Sequence, residues 1–247
     1  VNQIPKEIRE AIIPAKGKKF IMFDWSSAEL YIAAYWSKCK KILDWYSSGV
    51  DLHSEISKEL LGLDNVTKEQ RNVSKVVSFA TIYGSEGAAV GRRLNISLDE
   101  AKDLVASYMS TFPEIAQLRA RVVSYAHKNY CTRTIFGRIR RIPEINSDQQ
   151  FVREKCERQA FNTAIQASCA DFFKKAAVKS LKFKDEGVEY KFGVFDSHLL
   201  EVPEDMSMER CQEIANYMSD FSEDFEGFKF RFDVAEGKNW RECQDKL

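Results

Sequence analysis

The stretch YKFGVFDSHLLEVP (residues 190–203) predicts the sheet around which the fold is built. Two short apolar runs, each typical of a β-strand, flank a tight turn near Asp196 and Ser197. A buried, ionised carboxylate costs free energy unless it is paired or binds a metal. Asp196 therefore needs a partner elsewhere in the chain.

A second apolar run, KKFIMFDW, predicts a buried strand that ends at Asp24. If the two strand regions are neighbours, Asp24 and Asp196 converge, and two adjacent carboxylates repel unless they are protonated or bridged by cations. Oxygen ligands of this kind suit Mg²⁺, and two such ions about 3.5–4 Å apart serve phosphoryl transfer. The alternative is that Asp24 caps the following helix and Asp196 is an ordinary turn residue.

Long helical patterns separate the few strand patterns. The helices are expected over residues 26–46 and 51–62, from the capping box at Thr67 to about Tyr83, from the capping box at Ser97 onward with a kink or division at Pro113, and over residues 148–182 and 207–221. Residues 130–145 predict a hairpin or irregular β segment, and residues 228–237 a half-buried strand. The predicted class is α+β, a small antiparallel sheet with a large helical insertion.

The composition indicates the cellular compartment and the kinds of partner that are expected for the protein. The six cysteines form no CxxC pair, which argues against a zinc site or a disulfide framework and favours a reducing compartment. No apolar run approaches the ~20 residues that span a bilayer. A soluble, intracellular, cytoplasmic protein is expected, with no membrane partner. The formal net charge is 0, which does not exclude nucleic acid, because local clusters such as GRIRR (residues 137–141) and GRR (91–93) remain.

The stretch RNVSKVVSFATIYG (residues 71–84) carries a stripe with a period of four residues. Arg71, Lys75, Phe79 and Tyr83 share one slowly drifting helix face. Cations suit a triphosphate and aromatic rings suit base stacking, so a nucleotide could lie along this helix. The alternative is an aromatic pair that faces the core beside a basic pair on the surface.

A second polar stripe lies in ERQAFNTAIQASCADFFKKA (residues 157–176). Arg158, Asn162 and Gln166 recur at the same spacing and could hydrogen-bond to bases or sugars in a minor groove. An interhelical hydrogen-bond network is the alternative.

Taken in order, these motifs resemble the polymerase domain of the family A DNA polymerases, the DNA polymerase I type. FDWSSAEL resembles the first catalytic motif of the family (DYSxxELR), residues 71–84 match the second (RxxxKxxxFxxxYG), and VFDSHLLEV resembles the third (VHDExxxEV). IFGRIRRIPEI, RQAFNTAIQASCADFFKKA and GKNW also resemble family segments. The resemblance implies an incomplete right-hand fold without a thumb: palm over residues 1–50, fingers over 51–130 and palm again over 131–247.

The same resemblance implies template-directed DNA synthesis, in which a nucleotide passes from a dNTP to a primer 3′-OH. Two Mg²⁺ ions, with Mn²⁺ as a substitute, would be bound by Asp24, Asp196 and the backbone carbonyl of Trp25. Lys75 would also protonate the leaving pyrophosphate.

The substrate-contacting residues follow from the matched motifs. At the dNTP, Glu29 would be the steric gate that excludes a ribose 2′-hydroxyl. The phosphates would be contacted by His53, Arg71 and Lys75. Phe79 and Tyr83 would lie at the sugar and base. For primer–template DNA they are Gly84, Arg158, Asn162 and Gln166. A Phe at position 79 implies discrimination against 2′,3′-dideoxynucleotides.

The chain departs from the family pattern at Trp25, which replaces the usual Tyr, at Ser27 and Ala28, which replace a bulkier pair, and at three further positions. Tyr31 stands where the family usually has Arg, Phe195 where it has His, and Ser197 where it has Glu. Activity is expected to survive because the aspartate of the third motif is kept.

The first residues, VNQIP, resemble a segment that lies inside the family's palm, LQNIP. The sequence is then either one piece of a split polymerase or a fragment. For a split polymerase, a second polypeptide with the thumb, and possibly an exonuclease domain, is expected to complete the enzyme. Two other interpretations are a non-catalytic, polymerase-derived DNA-binding or scaffold subunit, and a relative of single-subunit RNA polymerases, which Glu29 and FATIYG disfavour.

Overall fold

Residues 4–84 and 87–247 are described by the structure, a computed structural model, and contacts divide the chain into two units. The first unit comprises Val1–Ala28 and Phe172–Leu247, and the second comprises Glu29–Asp171. Residues 1–3 of the VNQIP comparison lie outside the described residues. The boundaries of the palm and fingers domains remain a prediction.

The first unit is built on a four-stranded antiparallel sheet, whose strands lie in the order 189–194, 197–203, 18–25 and 232–237. Its strands and helices are β1 (Lys18–Trp25), β4 (Glu189–Val194), β5 (Ser197–Pro203), α9 (Met208–Ser219), β6 (Phe232–Gly237) and α10 (Trp240–Lys246), with 3₁₀ turns at Lys6–Ala11 and Ser180–Glu186. The predicted α+β class with a small antiparallel sheet is confirmed.

The strand that carries Asp24 and the strand that follows Asp196 are direct neighbours. In the β1–β5 ladder Asp24 pairs with Ser197, and on its other side Asp24 pairs with Asp233 of β6. The turn between β4 and β5 is formed by Phe195 and Asp196, so Ser197 already belongs to β5. The turn thus begins one residue earlier than the sequence pattern suggests.

Both faces of β1 are covered, which explains its unbroken apolar run. Phe20 and Met22 pack with Trp240 of α10 on one face. On the other face Trp25 stacks on Phe230 with ring centroids 4.0 Å apart, and its indole Nε1 donates to Ser219 Oγ at 2.9 Å. The strand that ends beside Asp24 is therefore anchored from both sides.

The second unit is mainly helical. Its elements are α1 (Ala28–Ser37), α2 (Lys40–Ser48), α3 (Leu52–Leu61), α4 (Lys68–Ile82), α5 (Ala88–Leu94), α6 (Leu98–Thr111), α7 (Pro113–Asn129), the antiparallel hairpin of β2 (Cys131–Arg133) and β3 (Ile139–Arg141), and α8 (Gln150–Lys179), whose last residues belong to the first unit. A core cluster of Ala126, Ile142, Ile145, Cys156 and Ala160 holds α7, the segment after β3 and α8 together.

Local sequence signals locate most of the helix ends. Thr67 and Ser97 form capping boxes with Gln70 and Glu100, as predicted. Gly62 ends α3 in the left-handed region at φ 65°, and Pro113 begins α7 rather than kinking a single helix.

Two regions differ from the sequence-based expectation. The helical pattern of residues 26–46 is divided, because Lys38 at φ 62° ends α1 and Cys39 caps α2. The final strand begins only at Phe232, while Lys229 forms an isolated bridge with Asp220. A backbone turn divides the first pattern, and an isolated bridge outside the sheet shortens the second.

Within the described ranges, no helix combines the length and the apolar character needed to cross a bilayer.

Candidate active site

Asp24 and Asp196 are brought together in the first unit. Their side chains are close enough to share a hydrogen bond, and the backbone N–H of Trp25 donates to the Asp196 carbonyl at 3.2 Å. The Ser197 hydroxyl also donates to Asp24 Oδ1. A helix-capping role for Asp24 and a turn role for Asp196, the two alternatives, would not require their side chains to lie close together.

The electrostatics of Asp24 reflect its crowded position. Burial raises the pKa of Asp24, hydrogen bonds from Ser197 and Asp196 lower it, and the nearby charge of Asp233 raises it again. The net result is a pKa above the ordinary value. A carboxylate pair of this kind is stabilised by a proton or by a cation.

The donor set fits a hard cation. Asp24 and Asp196 supply carboxylate oxygens, which are the ligands that Mg²⁺ prefers, and Mg²⁺ commonly completes its shell with water and substrate phosphate. Among the residues that the structure describes, three or more His, Cys, Asp or Glu side chains are nowhere grouped to hold a metal ion. The predicted ligand set contains only two such side chains, Asp24 and Asp196, because its third member is the backbone carbonyl of Trp25.

Phe195 occupies an unusual position beside this pair. Its backbone has φ 58° and its side chain is 77% exposed at the tip of the hairpin. A bulky residue in the left-handed region is uncommon and strained. The tight turn thus presents an aromatic ring to solvent next to Asp196.

In the second unit, the two cations of the α4 stripe line one cavity. Arg71 and Lys75 border a volume of about 730 Å³, together with Lys68 and Arg93. Arg71 also forms a side-on pair with Asp51, in which Nε and Nη2 each lie 2.7 Å from a carboxylate oxygen. Glu69 also lines the cavity, so four cations and one carboxylate give it a net positive charge, which is suited to a polyanionic ligand.

His53 lies close to the same cations. Its side chain is buried, and burial together with the nearby positive charges of Arg71 and Lys75 lowers its pKa to about 4. Its Nδ1 is buried and has no hydrogen-bond partner among the described residues. The His53 ring lies 6.0 Å from that of Phe79. The sequence-predicted group of His53, Arg71, Lys75 and Phe79 is therefore local to α3 and α4.

The aromatic half of the α4 stripe meets Glu29. The rings of Phe79 and Tyr83 stack with centroids 5.8 Å apart. Burial raises the pKa of Glu29, while hydrogen bonds with Tyr83 and Gln166 lower it, and Gln166 Nε2 donates to Glu29 Oε1 at 3.3 Å. Burial and the charge of Glu29 raise the pKa of Tyr83 to about 12. The sequence patterns placed these residues on three separate helices, and the second unit brings them together.

The remaining predicted residues lie along α8 and at the end of α4. Gly84 has φ 67°, and a Cβ there would lie 2.8 Å from Arg158 Cγ, so the backbone approaches α8 closely. Asn162 Oδ1 is buried without a hydrogen-bond partner in the described part of the chain. Tyr31, by contrast, is buried and stacks on Tyr46 at 3.9 Å, so it belongs to the core.

Sequence reasoning missed three residues of this region. Lys68 lies at i−3 from Arg71, a spacing that could have added it to the basic half of the stripe. Arg93 belongs to the basic cluster GRR, which composition alone could not distinguish from a solvated surface. Asp51 precedes the predicted His53 by two residues, but only tertiary packing reveals its pairing with Arg71.

Comparisons with known proteins agree with this architecture. The sequence profile of the family described as "DNA polymerase family A" matches residues 2–242. The chain belongs to this family.

Two individual relatives have similar sequence identities to this chain. The chain is 33% identical to DNA polymerase I of Caldicellulosiruptor bescii over 203 residues, which cover 80% of this chain and 24% of that protein. It is 30% identical to DNA polymerase I of Borreliella burgdorferi over 242 residues, which cover 96% of this chain and 26% of that protein. The chain thus spans about a quarter of the length of these relatives.

A solved structure gives the corresponding result for the fold. The POL domain of Pol1 from M. smegmatis, in complex with a DNA primer-template and dNTP, aligns with a TM-score of 0.89 at 29% identity. The alignment covers 99% of this chain and 45% of that chain. The fold class predicted from the sequence is therefore that of a family A polymerase domain.

Proposed function

We propose that this chain performs template-directed DNA synthesis, transferring a nucleotide from a dNTP to a primer 3′-OH as part of a family A DNA polymerase. The observation that carries the proposal is the convergence of Asp24, on β1, and Asp196, in the turn that leads into the neighbouring strand β5. Membership of the family and the printed names of the relatives support it.

Asp24 and Asp196 would hold two Mg²⁺ ions, with the Trp25 backbone carbonyl as a further ligand. The bound ions would stabilise the charge on the attacking and leaving oxygens. The chain's own contribution is to fix the two carboxylates: Trp25 is anchored between Phe230 and Ser219, and the Ser197 hydroxyl orients Asp24.

The second unit would bind the incoming nucleotide. Arg71 and Lys75, with His53 beside them, would contact the triphosphate, since guanidinium and ammonium groups pair with phosphate oxygens. Phe79 and Tyr83 would pack at the sugar and base, and Lys75 would donate a proton to the leaving pyrophosphate. Glu29, held by Gln166, would exclude a ribose 2′-hydroxyl.

Contacts to primer–template DNA would come from Gly84, Arg158, Asn162 and Gln166. The orphaned Oδ1 of Asn162 supports a polar ligand at this position, because buried oxygens normally accept a hydrogen bond.

A primer-extension assay with Mg²⁺ tests the proposal. The wild type is expected to extend a primer with dNTPs and not with rNTPs, and Asp196→Ala is expected to abolish extension. Asp205→Ala, an exposed aspartate in the turn after β5, is the matched control and should behave as the wild type. Equal incorporation by the wild type and Asp196→Ala would contradict the metal-binding role.

We further propose that a second polypeptide carrying a thumb completes the enzyme. DNA affinity depends largely on contacts to phosphates, and the formal net charge of 0 offers no overall attraction to them, which supports this proposal. Size-exclusion chromatography with candidate partner chains, followed by extension assays on the complex, tests it. Strong processive synthesis by the isolated chain would overturn it.

The alternative is a non-catalytic, polymerase-derived DNA-binding or scaffold subunit. The altered third motif, with Phe195 and Ser197 around Asp196, is the observation that favours it. DNA binding without primer extension, in the presence of all partner chains, would support this alternative.

A further inference from the structure

Asp51 and Arg71 form the ion pair from which a role for Asp51 follows. Asp51 lies at the N-cap of α3, and its Oδ2 accepts hydrogen bonds from the backbone N–H and the hydroxyl of Ser54, at 2.8 and 2.7 Å. The carboxylate is therefore fixed by the start of a helix. It is a rigid anchor for a side chain that is otherwise long and mobile.

The pair with Asp51 uses only one edge of the guanidinium. Asp51 occupies Nε and one N–H of Nη2, which form the side-on edge of Arg71. A guanidinium has five N–H donors, so the end-on edge formed by Nη1 and the second N–H of Nη2 can still donate two parallel hydrogen bonds to a phosphate. Asp51 thus orients Arg71 without using the donors that a phosphate needs.

Charge also supports this orientation. Arg71 and Lys75 lie one helical turn apart on α4, and like charges at this spacing repel. The Asp51 carboxylate offsets that repulsion and retains its charge at neutral pH, because the Arg71 hydrogen bonds lower its pKa. Arg71 is therefore held beside Lys75 and the cavity that both residues line.

We propose that Asp51 is a positioning residue for the triphosphate, which orders Arg71 before the nucleotide binds. The inference rests on the proposed function, since it assumes that Arg71 contacts the triphosphate. Ordering a long side chain in advance removes an entropic cost from binding. The repulsion between Asp51 and a phosphate opposes this effect, but the pair is about 40% exposed and solvent screens it.

The test uses Asp51→Asn, because Asn is an equally good N-cap and keeps the start of α3 while it removes the charge. Calorimetric titration with a dNTP, and separately with inorganic tripolyphosphate, should give a Kd about three- to tenfold higher than that of the wild type. In extension assays KM for the dNTP should rise by the same factor with little change in kcat. In an Arg71→Ala background, Asp51→Asn should have no further effect on either constant.

Glu186→Gln is the matched control. Glu186 pairs side-on with Arg210 in the first unit, with distances of 2.9 and 2.7 Å and nearly the same exposure. This variant should leave dNTP and tripolyphosphate affinity unchanged. Asp51→Ser, which also keeps the cap, should reproduce the effect of Asp51→Asn.

The outcomes separate the two proposals. Unchanged or tighter binding by Asp51→Asn, with normal binding by the wild type, would overturn the positioning role alone. An additive effect in the Arg71→Ala background would also overturn it. Absence of dNTP binding by the wild type with its partner chains would count against the proposed function itself.

Discussion

The Ser197 hydroxyl of β5 donates a hydrogen bond to the Asp24 carboxylate of β1, across the ladder in which the two residues are register partners. The family pattern usually has Glu at position 197. The smaller serine here does not supply a second charge, but it restrains the carboxylate that is proposed to bind metal. Replacing it tests whether this restraint matters.

Ser197→Ala should raise the Mg²⁺ concentration that gives half-maximal primer extension by about three- to tenfold, the factor expected for one lost hydrogen bond. The physical reason is that Asp24 then lacks the Ser197 hydrogen bond that orients it before a metal ion binds. Extension rates measured over a Mg²⁺ titration provide the check. Ser48→Ala, which removes an exposed hydroxyl bonded only to the Trp45 carbonyl among the described residues, is the control. An unchanged Mg²⁺ midpoint would show that Ser197 does not restrain Asp24.

Glu29→Ala should raise the ratio of rNTP to dNTP incorporation by roughly tenfold or more, because it removes the bulk that excludes a 2′-hydroxyl. Glu29→Gln keeps the volume of the side chain and should retain most of the discrimination. Single-nucleotide incorporation with matched dNTP and rNTP pairs measures the ratio. If Glu29→Gln relaxed selectivity as much as Glu29→Ala, charge rather than bulk would be responsible.

Gly84→Ala should destabilise the protein more than Gly62→Ala. Both glycines have nearly the same positive φ, 67° and 65°, so the backbone cost of placing Ala in the left-handed region, about 1–2 kcal/mol, is common to both. Only at Gly84 does the new Cβ meet another residue, Arg158 Cγ at 2.8 Å, and overpacking of this kind adds about 1–3 kcal/mol. Urea unfolding of the two variants measures the difference. Equal destabilisation would mean that Arg158 moves away without cost.

His53 should make the protein less stable as the pH falls. Its pKa in the folded protein is about 4, below the usual value near 6.5, because burial and nearby cations disfavour the charged form. The unfolded chain therefore takes up a proton below pH 6.5 that the folded chain does not. The free energy of unfolding should fall by up to about 1.4 kcal/mol per pH unit between pH 6.5 and 4 from this group.

His53→Leu should flatten this dependence in urea unfolding at pH 7.5, 6 and 5. His127 provides a control of opposite sign, since hydrogen bonds with Asn146 and Glu157 raise its pKa. Its stabilisation is present at low pH and lost as the pH rises, so His127→Gln should steepen the loss of stability on acidification. The assignment for His53 would be wrong if its variant kept the slope of the wild type.

Features that depend on neighbours in the sequence were predicted well. The capping boxes at Thr67 and Ser97, the Gly62 stop and the Pro113 division each arise from groups three or four residues apart. The stripes on α4 and α8 follow from helical periodicity in the same way. The break at Lys38 was not predicted, because the apolar pattern continues across it.

By itself, the sequence determined the identity of the candidate site residues, the strand that ends near Asp24, and the spacing of the α4 and α8 stripes, because these depend on local order along one chain. Only the tertiary structure decided which of them meet. Ser197 and Asp24 are 173 residues apart, Gln166 and Glu29 are 137 apart, and Asp51 and Arg71 are 20 apart. Contacts at such separations form when strands pair in register and helices pack. The local sequence does not identify which distant residue each side chain will then contact.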